Sequence, residues 1–130
     1  LQKIAKSNIE FLGYVSKDAL HNLYQKASAL LFPQIEDFGI TPLEAMATGC
    51  PVIAFKGGGA LETIVEDETG IFFPEQTSTS LKKAIEKFNK TKFKTNVIRE
   101  HAETFDRSIF NQKMVNFIEK KWEHWQKEMC

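Results

Sequence analysis

Short runs of consecutive apolar residues alternate along the chain with segments in which apolar residues recur every three or four positions. Uninterrupted apolar runs indicate strands buried on both faces, as in a parallel sheet. The predicted strands cover 9–12, 29–32, 51–55 and 71–73, and the first is the weakest pattern. Because helical segments separate these runs, the sequence predicts an α/β fold with a doubly wound, Rossmann-like parallel sheet.

Helical patterns fill the intervals and the last part of the chain. Ser16 is a predicted N-cap, and further helices are expected near 42–48, 60–65, 81–88 and 96–103. A long final helix starts near Asp106. It carries the apolar residues Phe110, Met114, Phe117, Ile118, Trp122 and Trp125. We expect Trp122 and Trp125 to pack in the core or against another domain, or to form an exposed patch.

The length of 130 residues is that of one domain, and we interpret residues 1–130 as a single unit. Three or four strands are few for a doubly wound domain, so we expect its first βαβ unit to be absent. The zero net charge argues against a nucleic-acid-binding protein. Residues 1–75 contain five basic and ten acidic residues, whereas 76–130 contain twelve and seven. The basic half is interpreted as solvated helix faces or as a peripheral contact with an anionic membrane.

The cysteines and histidines show no spacing typical of a metal site. Cys50 and Cys130 fit neither a zinc-ligand pattern nor a disulfide framework, so a reduced, cytoplasmic protein is expected. No apolar run approaches the roughly 20 residues that span a bilayer. His21, His101 and His124 are scattered over predicted helices, and we expect them at the surface without a metal.

The main candidate site lies between Glu36 and Glu44, two carboxylates on either side of a predicted helix start. Glu36 follows a buried strand and Pro33, which places it at the carboxyl edge of the sheet, where open α/β folds bind ligands. A carboxylate there can accept charge-assisted hydrogen bonds from sugar hydroxyls. The alternative is that Glu36 is a solvated loop acid.

Glu44 also has a purely structural interpretation. The segment from Thr41 to Glu44 reads as a capping box, with Pro42 at the first helical position. Gly39, however, permits close approach of a ligand, and the N–H groups near Ile40 and Thr41 would lie at the positive end of the helix. Such a helix start suits a diphosphate. The glycines 57–59 are interpreted as a permissive turn or as a loop that cradles a phosphate.

At this point the sequence resembles glycosyltransferase family 4, retaining enzymes of the two-domain GT-B type. The resemblance rests on Glu36 and Glu44 with seven residues between them, and on the flanking segments 29–33 and 44–54. It extends over 11–15, 58–62, 69–74 and 105–107, and so covers nearly the whole chain. It implies a truncated C-terminal donor-binding domain, with a separate N-terminal acceptor domain and C-terminal helices.

The resemblance also implies individual roles. Glu36 would be catalytic, contacting the donor sugar near the charge that develops on its anomeric carbon, and Glu44 would bind the ribose diol. Gly58 would line the cleft. The backbone at the remaining positions would hold the sugar and diphosphate (Gly39, Ile40 and Thr41) and the nucleobase (Tyr14 and Val15).

The implied reaction is retaining transfer from a nucleotide sugar to a glycan or lipid-linked acceptor. The segments 36–40 and 58–63 are similar to mannosyltransferases of surface-polysaccharide assembly, which favours GDP-mannose over a UDP-sugar. No Asp-x-Asp motif is present, which indicates metal-independent chemistry without a cofactor. The Arg and Lys that the family places upstream have no counterpart, so this chain alone should bind donor weakly and transfer nothing. The alternatives are a glycosidase using both glutamates and a non-catalytic nucleotide-binding module.

Overall fold

The computed structural model describes residues 2–129, so the predictions for Cys130 concern a residue outside the described part. That part of the chain has three strands and six helices, which alternate as far as the fourth helix and end with three successive helices. In chain order the elements are α1 (Lys17–Lys26), β1 (Leu30–Phe32), α2 (Ile40–Ala47), β2 (Val52–Phe55), α3 (Ala60–Thr63), β3 (Gly70–Phe73), α4 (Ser78–Phe88), α5 (Thr95–Glu103) and α6 (Arg107–Met129).

The three strands form one parallel sheet in the order β1-β2-β3. Leu30 lies opposite Val52, and Val52 lies opposite Gly70. A Cβ at Gly70 would lie 2.3 Å from the Val52 carbonyl oxygen, so only glycine fits at this point of the sheet. The uninterrupted apolar runs therefore predicted the parallel sheet correctly.

Helices cover both faces of the sheet. Alternate residues of β2 point to opposite faces, so Val52 and Ala54 belong to one core and Ile53 to the other. The first core includes Met46 of α2 and Ile98 of α5. The second core contains Ile71, Phe73 and Ala84. This arrangement confirms the doubly wound α/β architecture with C-terminal helices.

The predicted strand 9–12 is wrong, because this segment is irregular. Phe11 and Leu12 are 45% and 49% exposed. A strand in a parallel sheet requires a neighbour to accept and donate its backbone hydrogen bonds, and within residues 2–129 none lies beside this segment. Its apolar residues alone do not supply such a partner.

One helix start follows its predicted cap, and another departs from its predicted cap. The Ala19 N–H donates to Ser16 Oγ at 3.3 Å, which confirms the cap of α1. The Ser80 N–H donates to Thr77 Oγ1 in the same way at 3.2 Å, at the start of α4. Helix α2, in contrast, begins at Ile40 instead of near Pro42.

Helix α6 is the least integrated element. None of its described residues is buried, and the side chains of Phe110, Phe117 and Trp122 are each more than half exposed. Trp122 and Trp125 stack on each other with ring centroids 5.0 Å apart. Of the three predicted possibilities, the structure has the exposed apolar patch. Over the part of the chain described, no helix is both long and apolar enough to cross a membrane.

Candidate functional site

Two loops meet at the carboxyl edge of the sheet. Residues 33–39 leave β1, and the glycine loop 57–59 follows β2, the adjacent strand. Glu36 is exposed in the first loop, and Gln34 Nε2 donates a hydrogen bond of 3.3 Å to Glu36 Oε1. The predicted position of Glu36 at the carboxyl edge of the sheet is therefore confirmed, and its contact with a ligand stays a prediction.

The glycine loop packs against the backbone of loop 36–39. The Gly59 N–H donates to the Glu36 carbonyl oxygen at 2.8 Å. A Cβ on Gly58 would lie 2.4 Å from that same oxygen, and one on Gly59 would lie 2.4 Å from Phe38 Cα. Gly58 thus stands directly beside Glu36, and its contact with a ligand stays a prediction.

Gly39 sets the start of α2. It is the N-cap residue, with φ 80° and ψ 84°, a left-handed conformation that glycine adopts without steric cost. The predicted capping box from Thr41 to Glu44 is therefore wrong, because the chain has already entered the helix at Ile40. Pro42 becomes the third helical residue, where its missing N–H costs no intrahelical hydrogen bond.

This earlier start changes the status of Glu44. Its side chain lies in the second turn of α2, is exposed, and takes no part in capping. Within residues 2–129, neither a hydrogen bond nor an ion pair occupies its carboxylate. The N–H groups of Ile40 and Thr41 likewise donate to no acceptor in that part of the chain. The first two turns of α2 therefore carry two free N–H donors, the positive end of the helix dipole and an unengaged carboxylate.

Helix α2 is flanked by a cavity on the side of α1. The cavity measures about 340 Å³ and is lined by Lys17, His21, Tyr24 and Glu44, among others. Burial raises the pKa of Tyr24 above its ordinary value, and the nearby charge of Glu44 raises it further. The Glu44 carboxylate thus lies near the phenol ring of Tyr24, in a space large enough for part of a ligand.

A shallower groove lies on the other side of α2, towards the junction of α5 and α6. It measures about 630 Å³, and Phe38, Ile40 and Glu44 line it together with Phe105 and Ser108. Glu44 therefore borders both spaces. The groove brings Glu44 together with the start of α2 and with the loop that carries Glu36.

Tyr14 and Val15 directly precede Ser16, the cap of α1, whose helix forms one wall of the cavity. Tyr14 is 98% exposed, and Val15 is half-buried. Both residues therefore adjoin the helix that lines the cavity together with Glu44. Their contact with a nucleobase stays a prediction.

The Glu44→Gln variant is expected to lower the pKa of Tyr24 towards its ordinary value of 10.0 without reaching it. The substitution removes the charge of Glu44, whereas burial, the larger cause, remains. Following the Tyr24 ring resonances through a pH titration measures the change. An unchanged pKa would contradict the proximity of the two side chains, and Glu86→Gln on α4 is the matched control.

His101 was predicted at the surface, and that prediction is wrong. It is half-buried, its Nε2 lies 2.9 Å from the carbonyl oxygen of Thr63, and its ring packs against Phe105 with centroids 5.4 Å apart. His21 and His124 are exposed as predicted, and His124 pairs with Glu128 at 3.1 Å. The sequence signal for His101 was its place one turn from Ile98 and Phe105, on the packed side of α5.

The remaining titratable groups within residues 2–129 add no metal site. Cys50 is buried, and burial raises the pKa of its thiol, as expected for a cysteine that fills space in a core. Over the described residues, no group of three or more His, Cys, Asp and Glu side chains could hold a metal ion.

Comparison with known proteins gives matches over most of the chain. The family profile of glycosyl transferases group 1 matches residues 1–105. The alpha-1,3/1,6-mannosyltransferase ALG2 of Kluyveromyces lactis is 34% identical over 129 residues, which cover 88% of this chain and 26% of that protein.

Two solved structures share the fold. Sucrose-phosphate synthase from Thermosynechococcus elongatus superposes with a TM-score of 0.74 and 27% identity, over 88% of this chain and 30% of the other. Anabaena Alr3699/HepE, solved in complex with UDP, gives 0.58 and 26%, over 75% of this chain and 29% of the other. The chain therefore spans less than a third of the length of each of these relatives.

Proposed function

The chain belongs to the glycosyl transferases group 1, and we propose that it binds the nucleotide-sugar donor of a glycosyl transfer reaction. The observation that carries the proposal is the start of α2. There, two N–H groups without acceptors in the described part of the chain and an unengaged Glu44 carboxylate accompany the positive end of a helix.

Each part of this site suits one part of a nucleotide sugar. The N–H groups of Ile40 and Thr41 would donate to the diphosphate, whose charge is stabilised by the helix dipole. The Glu44 carboxylate would accept hydrogen bonds from the two ribose hydroxyls, one turn further along the helix. Glu36, in the loop before the helix, would accept from hydroxyls of the sugar.

Such an arrangement favours departure of the diphosphate. In the transfer, the bond between the anomeric carbon and a diphosphate oxygen breaks, and the electron pair leaves with the nucleotide. The hydroxyl oxygen of the acceptor forms the new bond, and its proton passes to an oxygen of the departing diphosphate. Fixed N–H dipoles of Ile40 and Thr41 would stabilise the charge that grows on the leaving group. The carboxylate of Glu36 would stabilise the positive charge that develops at the anomeric carbon.

The proposed donor is GDP-mannose. Support for the sugar comes from the mannosyltransferase among the relatives. The neighbouring structure solved with UDP makes a UDP-sugar the competing donor. We further propose that the stereochemistry at the anomeric carbon is retained. We also propose that a second domain brings a glycan or lipid-linked acceptor, since the chain matches less than a third of the length of each of these relatives.

Calorimetric titration of the chain with GDP-mannose, GDP, guanosine, UDP-glucose and UDP tests the proposal. We expect weak, saturable binding of one nucleotide series, with the diphosphate and the nucleotide sugar tighter than the nucleoside, because the helix start binds charge. A folded chain that binds none of them would refute the proposal. Equal affinity for guanosine and GDP would refute the role of the helix start.

A further inference from the structure

Helix α3 has a contact with a neighbouring element at each of its ends, and the proposed function gives neither contact a role. Gly59 immediately precedes its first residue, and Thr63 is its last. At one end Gly59 contacts loop 36–39, and at the other the Thr63 carbonyl faces His101 of α5. Loop 36–39 is therefore connected to α5 through a helix of four residues.

The contact at Gly59 is between backbone atoms. Its N–H holds the carbonyl of Glu36 at 2.8 Å, and a Cβ at Gly59 would lie within 2.4–2.5 Å of Phe38 Cα and of the carbonyl oxygens of Asp37 and Phe38. Backbone atoms cannot rotate away as a flexible side chain can. Any side chain at position 59 must therefore displace the loop that carries Glu36.

The contact at His101 leads back to the same loop through two aromatic rings. His101 Nε2 lies 2.9 Å from the Thr63 carbonyl oxygen, which requires the proton on that nitrogen. The His101 ring packs edge-on against Phe105, and the Phe105 ring packs against Phe38 at 6.3 Å between centroids. Phe38 lies two residues from Glu36, so the chain of contacts closes on the loop.

From this closed set of contacts we infer that Gly59 and His101 are positioning residues for the donor site. They hold loop 36–39 at its backbone and at the Phe38 ring, so that Glu36 and the start of α2 are already arranged when a nucleotide sugar binds. Preorganisation of this kind removes the ordering cost of binding. The inference rests on the proposed function for its ligand, while the loop contacts exist without one.

The test uses four variants of the whole chain. Gly59→Ala inserts the clashing Cβ, and His101→Leu removes the hydrogen bond to Thr63 but retains an apolar side chain. His101→Gln can restore a donor to that carbonyl. Ile71→Val, in the other core, is the control for a small general loss of stability.

Two measurements are made on each variant. Backbone relaxation of residues 36–39 by NMR reports the order of the loop on the picosecond to nanosecond timescale without any ligand. Calorimetry then gives the affinity for GDP-mannose relative to that for guanosine, together with the same ratio for UDP-glucose and uridine. Only the nucleotide sugar uses the loop, whereas the nucleoside relies on Glu44.

We expect Gly59→Ala to lower the affinity ratio about tenfold and His101→Leu about threefold, with a less ordered loop in both. His101→Gln should stay within about twofold of the original chain, and Ile71→Val should change neither readout. A loop that stays fully ordered in Gly59→Ala and His101→Leu would overturn the inference. So would an equal loss of affinity for nucleoside and nucleotide sugar. If no nucleotide binds the original chain, the proposed function fails, and the relaxation data alone still decide the inference.

Discussion

Replacing Glu44 with alanine is expected to weaken nucleotide binding by about 10- to 100-fold, because hydrogen bonds to a charged group contribute about 1.5–3 kcal/mol. The carboxylate is exposed and takes no part in capping α2, so its removal leaves the helix intact. The expected loss therefore appears in affinity and not in stability. Calorimetry with the better-bound nucleotide, together with thermal unfolding of the same samples, measures both quantities.

The controls for this prediction come from the same chain. Glu86 is an exposed glutamate of α4, on the opposite face of the sheet, and Glu86→Ala should leave affinity unchanged. Glu44→Gln keeps the shape of the side chain but removes its charge, and should fall between the original chain and Glu44→Ala. A Glu44→Ala variant that binds nucleotide as tightly as the original would remove Glu44 from the site.

The second large effect concerns stability. Phe32→Ala is expected to lower the free energy of unfolding by about 3–5 kcal/mol, through lost burial and the cavity left behind. Phe32 is only 2% exposed, and its ring lies against the position where a Cβ of Gly39 would stand, 3.3 Å away. Truncation therefore also loosens the N-cap of α2. Urea unfolding at equilibrium measures the loss.

The matched control is Phe110→Ala on α6, where the ring is 57% exposed and less burial is lost. We expect a change within about 0.5 kcal/mol there. Domains of this size are stable by only about 5–15 kcal/mol, so Phe32→Ala is accompanied by the milder Phe32→Leu. Equal losses for Phe32→Ala and Phe110→Ala would contradict the assigned core.

The strands of this fold were predictable because burial on both faces leaves a local trace. Val52, Ile53 and Ala54 are consecutive and fully apolar, since successive residues enter different cores. The segment 9–12 is also mostly apolar, although Glu10 interrupts it, and it has no partner within the described residues. Pairing is a non-local property, so composition alone could not exclude this strand.

The position of Glu36 in the fold could be predicted from the sequence, but the start of α2 could not. Glu36 could be placed at the sheet edge from the strand before it, whereas the start of α2 depends on Gly39 turning against the ring of Phe32. The local pattern favoured Thr41 as the cap, and in that capping box the Glu44 carboxylate would be occupied by the backbone and unavailable to a ligand. His101 depends on Thr63, a residue 38 positions away, and short-range patterns carry little information on such contacts.

The most direct test of the account is to map nucleotide binding onto the backbone of the isotope-labelled chain by NMR, adding GDP-mannose and UDP-glucose in separate titrations. We predict saturable shifts that are largest at the Ile40 and Thr41 amides, a smaller shift at the Glu44 amide, and no shift at the sheet edge far from α2. Unchanged Ile40 and Thr41 amides at concentrations that saturate shifts elsewhere, or no saturable shift with either donor, would contradict it.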